Sequence, residues 1–436
     1  MKTNLKTILF LFILAGTLFS CKSDDPTEPT TNPNISNISP TSGPKTTIVT
    51  INGNDFGTNN NAVKVYFNDV EAMVQTVTDT QIITVVPARA YTGLVKVFIN
   101  GTELIGPTFN YTITDIQVST FAGDGIAGFL DGQGTAAKFS KLGQIAIDAN
   151  GTIYVADTGN HKIRKITPSG VVSTLAGSTE GNVDGQGVNA KFNFPYGIVV
   201  DNQNNVYVAD SENHKIRKIT PNGVVSTVAG NGSDGFAEGQ GVNARFDTPY
   251  GLAIDSQNNL YVTDSYNNRI RKITPSGLVS TFAGSGINGS ADGQGVNAEF
   301  TSPIGIVVDS ENNVYIGDEG NHTIRKITPN ANVTTLAGGT GGNANGQGAN
   351  AQFTSPTGLT IDKQGNIYVA DYNNHRIRKI TPNGLVSTFV GSDLGYVNGQ
   401  GVNAKFYNPY HVIIDTNYDV YIVDRGNYRI RKITQE

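Results

Sequence analysis

The sequence predicts an all-β protein in two parts, a small β-sandwich followed by a six-bladed β-propeller whose own first strand completes the last blade. Three observations carry this expectation. A tripeptide ending in aspartate recurs six times, at Asp157, Asp210, Asp264, Asp318, Asp371 and Asp424, with spacings of 53, 54, 54, 53 and 53 residues. Each copy runs through four strand-like pieces, and a four-stranded unit that cannot bury both faces alone is a propeller blade. The chain also holds 51 glycines and no tryptophan, with only 15% charged residues. Such a composition favours turns and weakens helices.

In chain order, residues 1–20 read as a signal peptide. Lys2 and Lys6 give a positive start, and Ile8 to Phe19 an apolar stretch. The run Leu18-Phe19-Ser20-Cys21 resembles a bacterial lipobox, which implies lipidation of Cys21, the only cysteine. A diacylglycerol thioether with an added N-acyl chain would anchor the protein stably, since a single chain holds only marginally. Lys22-Ser23-Asp24-Asp25 is similar to the export signal of surface lipoproteins of Bacteroidota-type bacteria. That resemblance implies an outer-membrane, cell-surface location, with the membrane contacted through the lipid alone. Residues 21–33 then form a proline- and threonine-rich tether that cannot build a core.

Residues 34–112 alternate with period two in short runs: Thr47-Ile51, Val63-Phe67, Gln81-Val86 and Leu94-Ile99. Asn52-Gly53-Asn54 and Asn100-Gly101 supply turns between them. About eighty residues of such strands make a β-sandwich. The opening Ile38-Ser39-Pro40-Thr41-Ser42-Gly43-Pro44, with Val49 to Gly57, resembles the IPT/TIG immunoglobulin-like domain. The resemblance implies a spacer.

Residues 113–436 are the repeats. In the second copy the four pieces are Gly197-Val200, Asn205-Ala209, Lys215-Thr220 and Val224-Ala229. A WD40 propeller does not fit, because its period is about 40–45 residues and tryptophan is missing. Asn204-Asn205-Val206-Tyr207-Val208-Ala209-Asp210-Ser211-Glu212-Asn213-His214-Lys215-Ile216-Arg217 resembles the NHL repeat, in all six copies. The chain stops at Ile433-Thr434-Gln435-Glu436, where the sixth copy would begin its fourth strand. Val118-Ser119-Thr120-Phe121-Ala122-Gly123 matches the missing strand, so it should close the ring and remove the open edges.

Charge and motif content exclude several functions. A net charge of −5 gives no basic footprint for nucleic acid. EF-hand, His/Cys metal and phosphate-loop spacings are missing, so no cofactor or metal is expected. Residues repeated in every blade are read as blade-building. This covers the six aspartates above, each followed three residues later by asparagine. The same reading covers the strand-one aspartates Asp148, Asp201, Asp255, Asp309, Asp362 and Asp415, and His161, His214, His322 and His375, which share one position on four blades and so cannot converge on one ion. The motif Asp184-Gly185-Gln186-Gly187-Val188-Asn189-Ala190-Lys191-Phe192 has counterparts starting at Asp131, Glu238, Asp292, Asn345 and Asn398. Loss of the leading acid in two copies argues against calcium, and a loop folded on its own phenylalanine is expected.

Departures from the repeat point to a ligand instead. The residue opening strand one is Gly197, Gly251, Gly305 and Gly358 in blades two to five, but Gln144 in blade one and His411 in blade six. The position before it carries Tyr196, Tyr250 and Tyr410. After the second-strand aspartate, small residues in blades one to three give way to Glu319, Tyr372 and Arg425. All eight candidates fall on the face with the long four-to-one loops, where binding sites concentrate. Aromatic faces beside hydrogen-bonding groups suit sugar rings or peptides. The expectation is a monomeric, non-catalytic surface module that captures a polysaccharide or glycoconjugate, or alternatively a surface protein. Propeller lyases and lactonases hold a metal in the channel; strand one here is apolar, as in Ile198-Val199-Val200, which disfavours that reading.

Overall fold

The computed structural model describes residues 32–436, so the leader, Cys21 and nearly all of the tether lie outside the described residues. The chain divides between Asn110 and Tyr111 into two compact units.

The first unit is sandwich-like, with strands in the order 34–39, 48–54, 81–85, 70–78, 63–67, 93–99, 102–111 and 42–43. Its inner face buries Val49, Ile51, Val65, Phe67, Val95, Val97 and Phe109. The Phe67 and Phe109 rings meet edge to face at 5.1 Å. All four expected strands are present. Those over 34–39, 70–78 and 102–111 were not expected, for local reasons. A bulge between Val74 and Thr76 breaks the alternation of one, Gly106-Pro107 interrupts another, and Asn34–Ser39 buries only Ile38.

The second unit contains six blades, each with four antiparallel strands. In blade two these are Pro195–Val200, Val206–Asp210, Lys215–Ile219 and Val224–Ala229. A fifth, two-residue strand was not expected from the sequence. Gly185–Gln186 pairs with Val224 and Val225 at the outer edge, and the equivalent Gly-Gln pair does so in every blade. The glycine motif therefore caps the blade's open edge. Its phenylalanine, such as Phe192, is fully buried between blades.

Ring closure follows the expectation. Strand 116–122 pairs with 429–435, from Ile116↔Gln435 to Ala122↔Ile430. Thr114 and Asp115 donate backbone bonds to the Glu436 carbonyl. Since neighbouring strands run antiparallel, the two-to-three turns and four-to-one segments emerge on one face, and the one-to-two and three-to-four turns on the other.

Candidate functional site

The repeated polar residues build the frame. Asp210 is wholly buried. Its Oδ1 accepts the Asn193 backbone N–H, and its Oδ2 accepts from the Asn213 amide and the Arg217 guanidinium. All six blades repeat this ion pair at 2.6–3.0 Å, between side chains with no exposure. Each arginine also stacks at 5.0–5.3 Å on the phenylalanine ending the glycine motif. Burial pushes the Asp210 and Asp318 carboxyls up to about 6, against the pull of these donors. The turn asparagine was legible in the sequence; the arginine, which precedes a lysine in every third strand, was not.

The motif's leading residue finishes this network. Asp131, Asp184, Asp292, Asn345 and Asn398 all accept from the blade's buried arginine. Glu238 instead accepts the Thr281 N–H. An asparagine oxygen accepts from a guanidinium as a carboxylate does, which explains why the acid is dispensable. The histidines are latches between blades. Each closes the two-to-three turn in the left-handed region, with φ of 53–57°. His161, His214, His322 and His375 accept through Nδ1 the N–H of Phe194, Thr248, Ser355 and Asn408 on the following blade. Asn268 does the same for Ser302. Burial lowers the pKa of His161 and His375, which favours the neutral ring needed to accept. Each strand-one aspartate caps its own turn, as Asp201 does by accepting from Gln203 and Asn205 N–H.

Against this frame the eight candidates separate into two sets. Tyr196, Tyr250, Tyr372, Tyr410 and Arg425 come together at the channel mouth. The Tyr196 ring lies 4.7 Å from Tyr250 and 6.2 Å from Tyr410, and Tyr372 meets Tyr410 edge to face at 6.0 Å. The Arg425 guanidinium sits over Tyr410 at 4.4 Å and Tyr196 at 5.3 Å, and donates to the Tyr196 hydroxyl at 3.3 Å. Tyr410 is buried, and the other four are half-buried. Burial and the neighbouring phenols push the Tyr250 hydroxyl far up, Tyr266 among them. Tyr266, 64% exposed on blade three, was missed because it follows Ser265, outside the compared turn position.

The other three candidates stand apart from this group. Glu319 is half-buried on blade four, with no ion pair to Arg425 among the described residues. Gln144 and His411 are 2% and 6% exposed, so they support the mouth from one residue farther along the inner strand. His411 Nδ1 faces the Ile145 N–H at 3.5 Å, and burial holds the imidazole at about 3. Glycine fills this position elsewhere because the blades approach closely. A Cβ on Gly305 would stand 1.9 Å from the Thr357 carbonyl oxygen. In blades one to three the residue after the aspartate is a further latch: Thr158, Ser211 and Ser265 donate to the carbonyls of Pro195, Pro249 and Pro303.

Below the mouth, the inner strands enclose about 180 Å³ lined by aliphatic side chains, Thr360 and His411. On the opposite face a cleft of about 610 Å³ between blades four and five meets Asp309, Glu311, Lys326 and Lys363. The sandwich carries a groove of about 580 Å³ over Tyr66 and Phe98. Its lysines are already paired, Lys64 with Glu71 and Lys96 with Asp69. Among the described residues no three His, Cys, Asp or Glu side chains gather into a metal-binding group.

Comparison with known proteins agrees with this architecture. Residues 33–117 match the IPT/TIG domain, and residues 139–166, 192–219, 246–273, 300–327 and 353–380 match the NHL repeat. Each NHL match runs from the buried phenylalanine through the aspartate and arginine that it stacks upon. NHL repeat-containing protein 2 of Gallus gallus is 29% identical over 337 residues, spanning 67% of this chain and 46% of that one. SUPPRESSOR OF QUENCHING 1, a chloroplastic protein of Arabidopsis thaliana, is 31% identical over 280 residues, 59% of this chain and 26% of that one. The chain thus spans less than half the length of these relatives. Among solved structures, a protein of unknown function from Bacteroides thetaiotaomicron superposes with a TM-score of 0.69 at 23% identity, covering 94% of this chain and 99% of that one. An auxiliary nutrient binding protein from Bacteroides ovatus gives 0.59 at 20% identity, with the same coverage. At these identities the likeness is one of fold.

Proposed function

The chain is an NHL-repeat β-propeller protein with an N-terminal IPT/TIG domain, and on that basis we propose that it is a non-catalytic binding module capturing glycans or glycoconjugates at the channel mouth. One observation carries the reading. In a frame repeated six times, the half-buried tyrosines and Arg425 gather where the repeat is broken. Half-exposed rings offer apolar contact to the C–H faces of a sugar, and the phenols and guanidinium offer oriented hydrogen bonds. Elsewhere the polar side chains that repeat are consumed by the frame. The channel cavity is lined by aliphatic groups, Thr360 and one buried, neutral imidazole, a setting short of the paired acid and base that catalysis would need. That a Bacteroides protein of this fold is called an auxiliary nutrient binding protein is compatible with the role. In this proposal the lipid on Cys21 holds the protein at the outer membrane, residues 21–33 act as tether and the IPT/TIG domain as spacer. The chain works as a monomer without a cofactor.

The test is an array of polysaccharides and glycoproteins probed with the full chain and with a Tyr250→Ala/Tyr372→Ala variant, whose changes spare the buried Tyr410 and His411. The proposal expects glycan signals that the variant loses. Absence of any glycan signal, or signals indifferent to the variant, would overturn it and shift the search to a protein partner.

A further inference from the structure

Arg425 differs from the arginines of the frame. The six third-strand arginines each rest on a buried aspartate. No carboxylate pairs with Arg425 among the described residues, and the groups acting on it are the phenols of Tyr410, Tyr196 and Tyr372. One of its N–H groups is used on the Tyr196 hydroxyl. The Tyr410 phenol also bonds this guanidinium, which is half-buried with none of its nitrogens sealed without a partner. A guanidinium is a planar fork whose donors match both oxygens of a carboxylate. Resting over the faces of two tyrosine rings holds this cation at the mouth. The result is a half-desolvated cation lacking an anion, next to aromatic faces.

We infer that the site takes an acidic saccharide, a sugar ring bearing a carboxylate as uronic acids do. The carboxylate would sit on Arg425, and the ring against the half-exposed Tyr250 and Tyr372. This rests on the glycan-capture reading above and narrows its ligand class. The carboxylate is favoured over a neutral sugar because a neutral hydroxyl would leave the cation uncompensated. A sulfated sugar, whose oxygens a guanidinium also forks, is the competing anion that the titration separates. A lone cation in this place has no use in the frame, since the other five blades are built without one: the equivalent residues are Thr158, Ser211, Ser265, Glu319 and Tyr372.

The experiment is calorimetric titration of the full chain with oligo-uronates cut from pectate, alginate and hyaluronan. The same oligosaccharides as methyl esters, a neutral galactan oligosaccharide and a sulfated dextran fragment serve as comparisons. The free acid of at least one should bind about 10- to 100-fold tighter than its ester, the range for a charge-assisted bond. Arg425→Gln should erase that difference while leaving the circular dichroism unchanged, and Arg425→Lys should restore part of it. Equal binding of acid and ester, a preference that survives Arg425→Gln, or a preference for the sulfated fragment would overturn the carboxylate assignment. Neutral glycan binding that Tyr250→Ala/Tyr372→Ala abolishes and Arg425→Gln spares would refute this inference alone. Failure of every saccharide to bind would refute the glycan-capture reading together with it.

Discussion

His411 offers a pH experiment whose size follows from its surroundings. The imidazole is 6% exposed, and burial lowers it from 6.5 to about 3. Since the folded value lies below the unfolded one, the unfolded chain binds a proton between pH 6.5 and about 3 that the folded chain refuses. Stability from this residue is therefore complete above pH 6.5 and falls as the pH drops, by about 1.4 kcal/mol per unit. Between pH 7.5 and 5.0 the loss is about 2 kcal/mol. Other buried groups titrate over the same range, so the measurement must be a difference. His411→Gln places there the residue that blade one carries as Gln144, an uncharged side chain that can still accept the Ile145 N–H. Urea unfolding of both proteins, followed by near-ultraviolet circular dichroism at pH 7.5 and 5.0, gives the double difference. The variant should gain about 2 kcal/mol relative to the parent on acidification. A gap between the two proteins that is the same at both pH values would refute the idea that His411 is buried and neutral.

Other consequences follow from the frame. Asp264→Ala should cost about 3–5 kcal/mol, the usual result of stranding one member of a buried ion pair. It should cost more than Asp210→Ala, because Arg217 keeps Asp184 while Glu238 bonds Thr281 rather than Arg271; comparing urea midpoints decides the order. Gly305→Ala puts a methyl 1.9 Å from the Thr357 carbonyl oxygen and should cost at least about 1–3 kcal/mol as overpacking, read as a lowered melting temperature. Deleting residues 113–123 removes the strand that pairs with 429–435. Amide exchange of Ile430 to Ile433 should then accelerate by orders of magnitude, and the open edge should promote association.

How much of this was legible in the sequence depended on the kind of signal. The aspartate spacing and the strand stranded at Val118–Gly123 led to the six blades and their closure, because both are repeats that can be counted. The short Gly-Gln edge strand was missed since two residues carry no alternation. The buried arginines were missed because Ile-Arg-Lys alternates like any strand with one wet face, whereas here both faces are covered and the inward polar residue meets Asp210 or its equivalent. The departures from repetition single out Tyr196, Tyr250, Tyr372, Tyr410 and Arg425, which the fold gathers at the mouth. They could not separate those from Gln144 and His411, which sit one residue along the same strands and are sealed. Depth along a strand that leans on its neighbours is a property of packing, not of pattern. Tyr266 escaped for the converse reason, being exposed by its turn rather than by its place in the repeat.

In the proposed function, ligand rests on the tyrosine-and-arginine mouth. The most direct measurement is a crystal structure of the full chain with the tightest-binding glycan from the array. The expected result is a sugar ring packed on Tyr250 or Tyr372, with its carboxylate on the Arg425 guanidinium. A ligand found instead in the cleft between blades four and five, or on the Tyr66 and Phe98 groove of the sandwich, with the mouth empty, would contradict it.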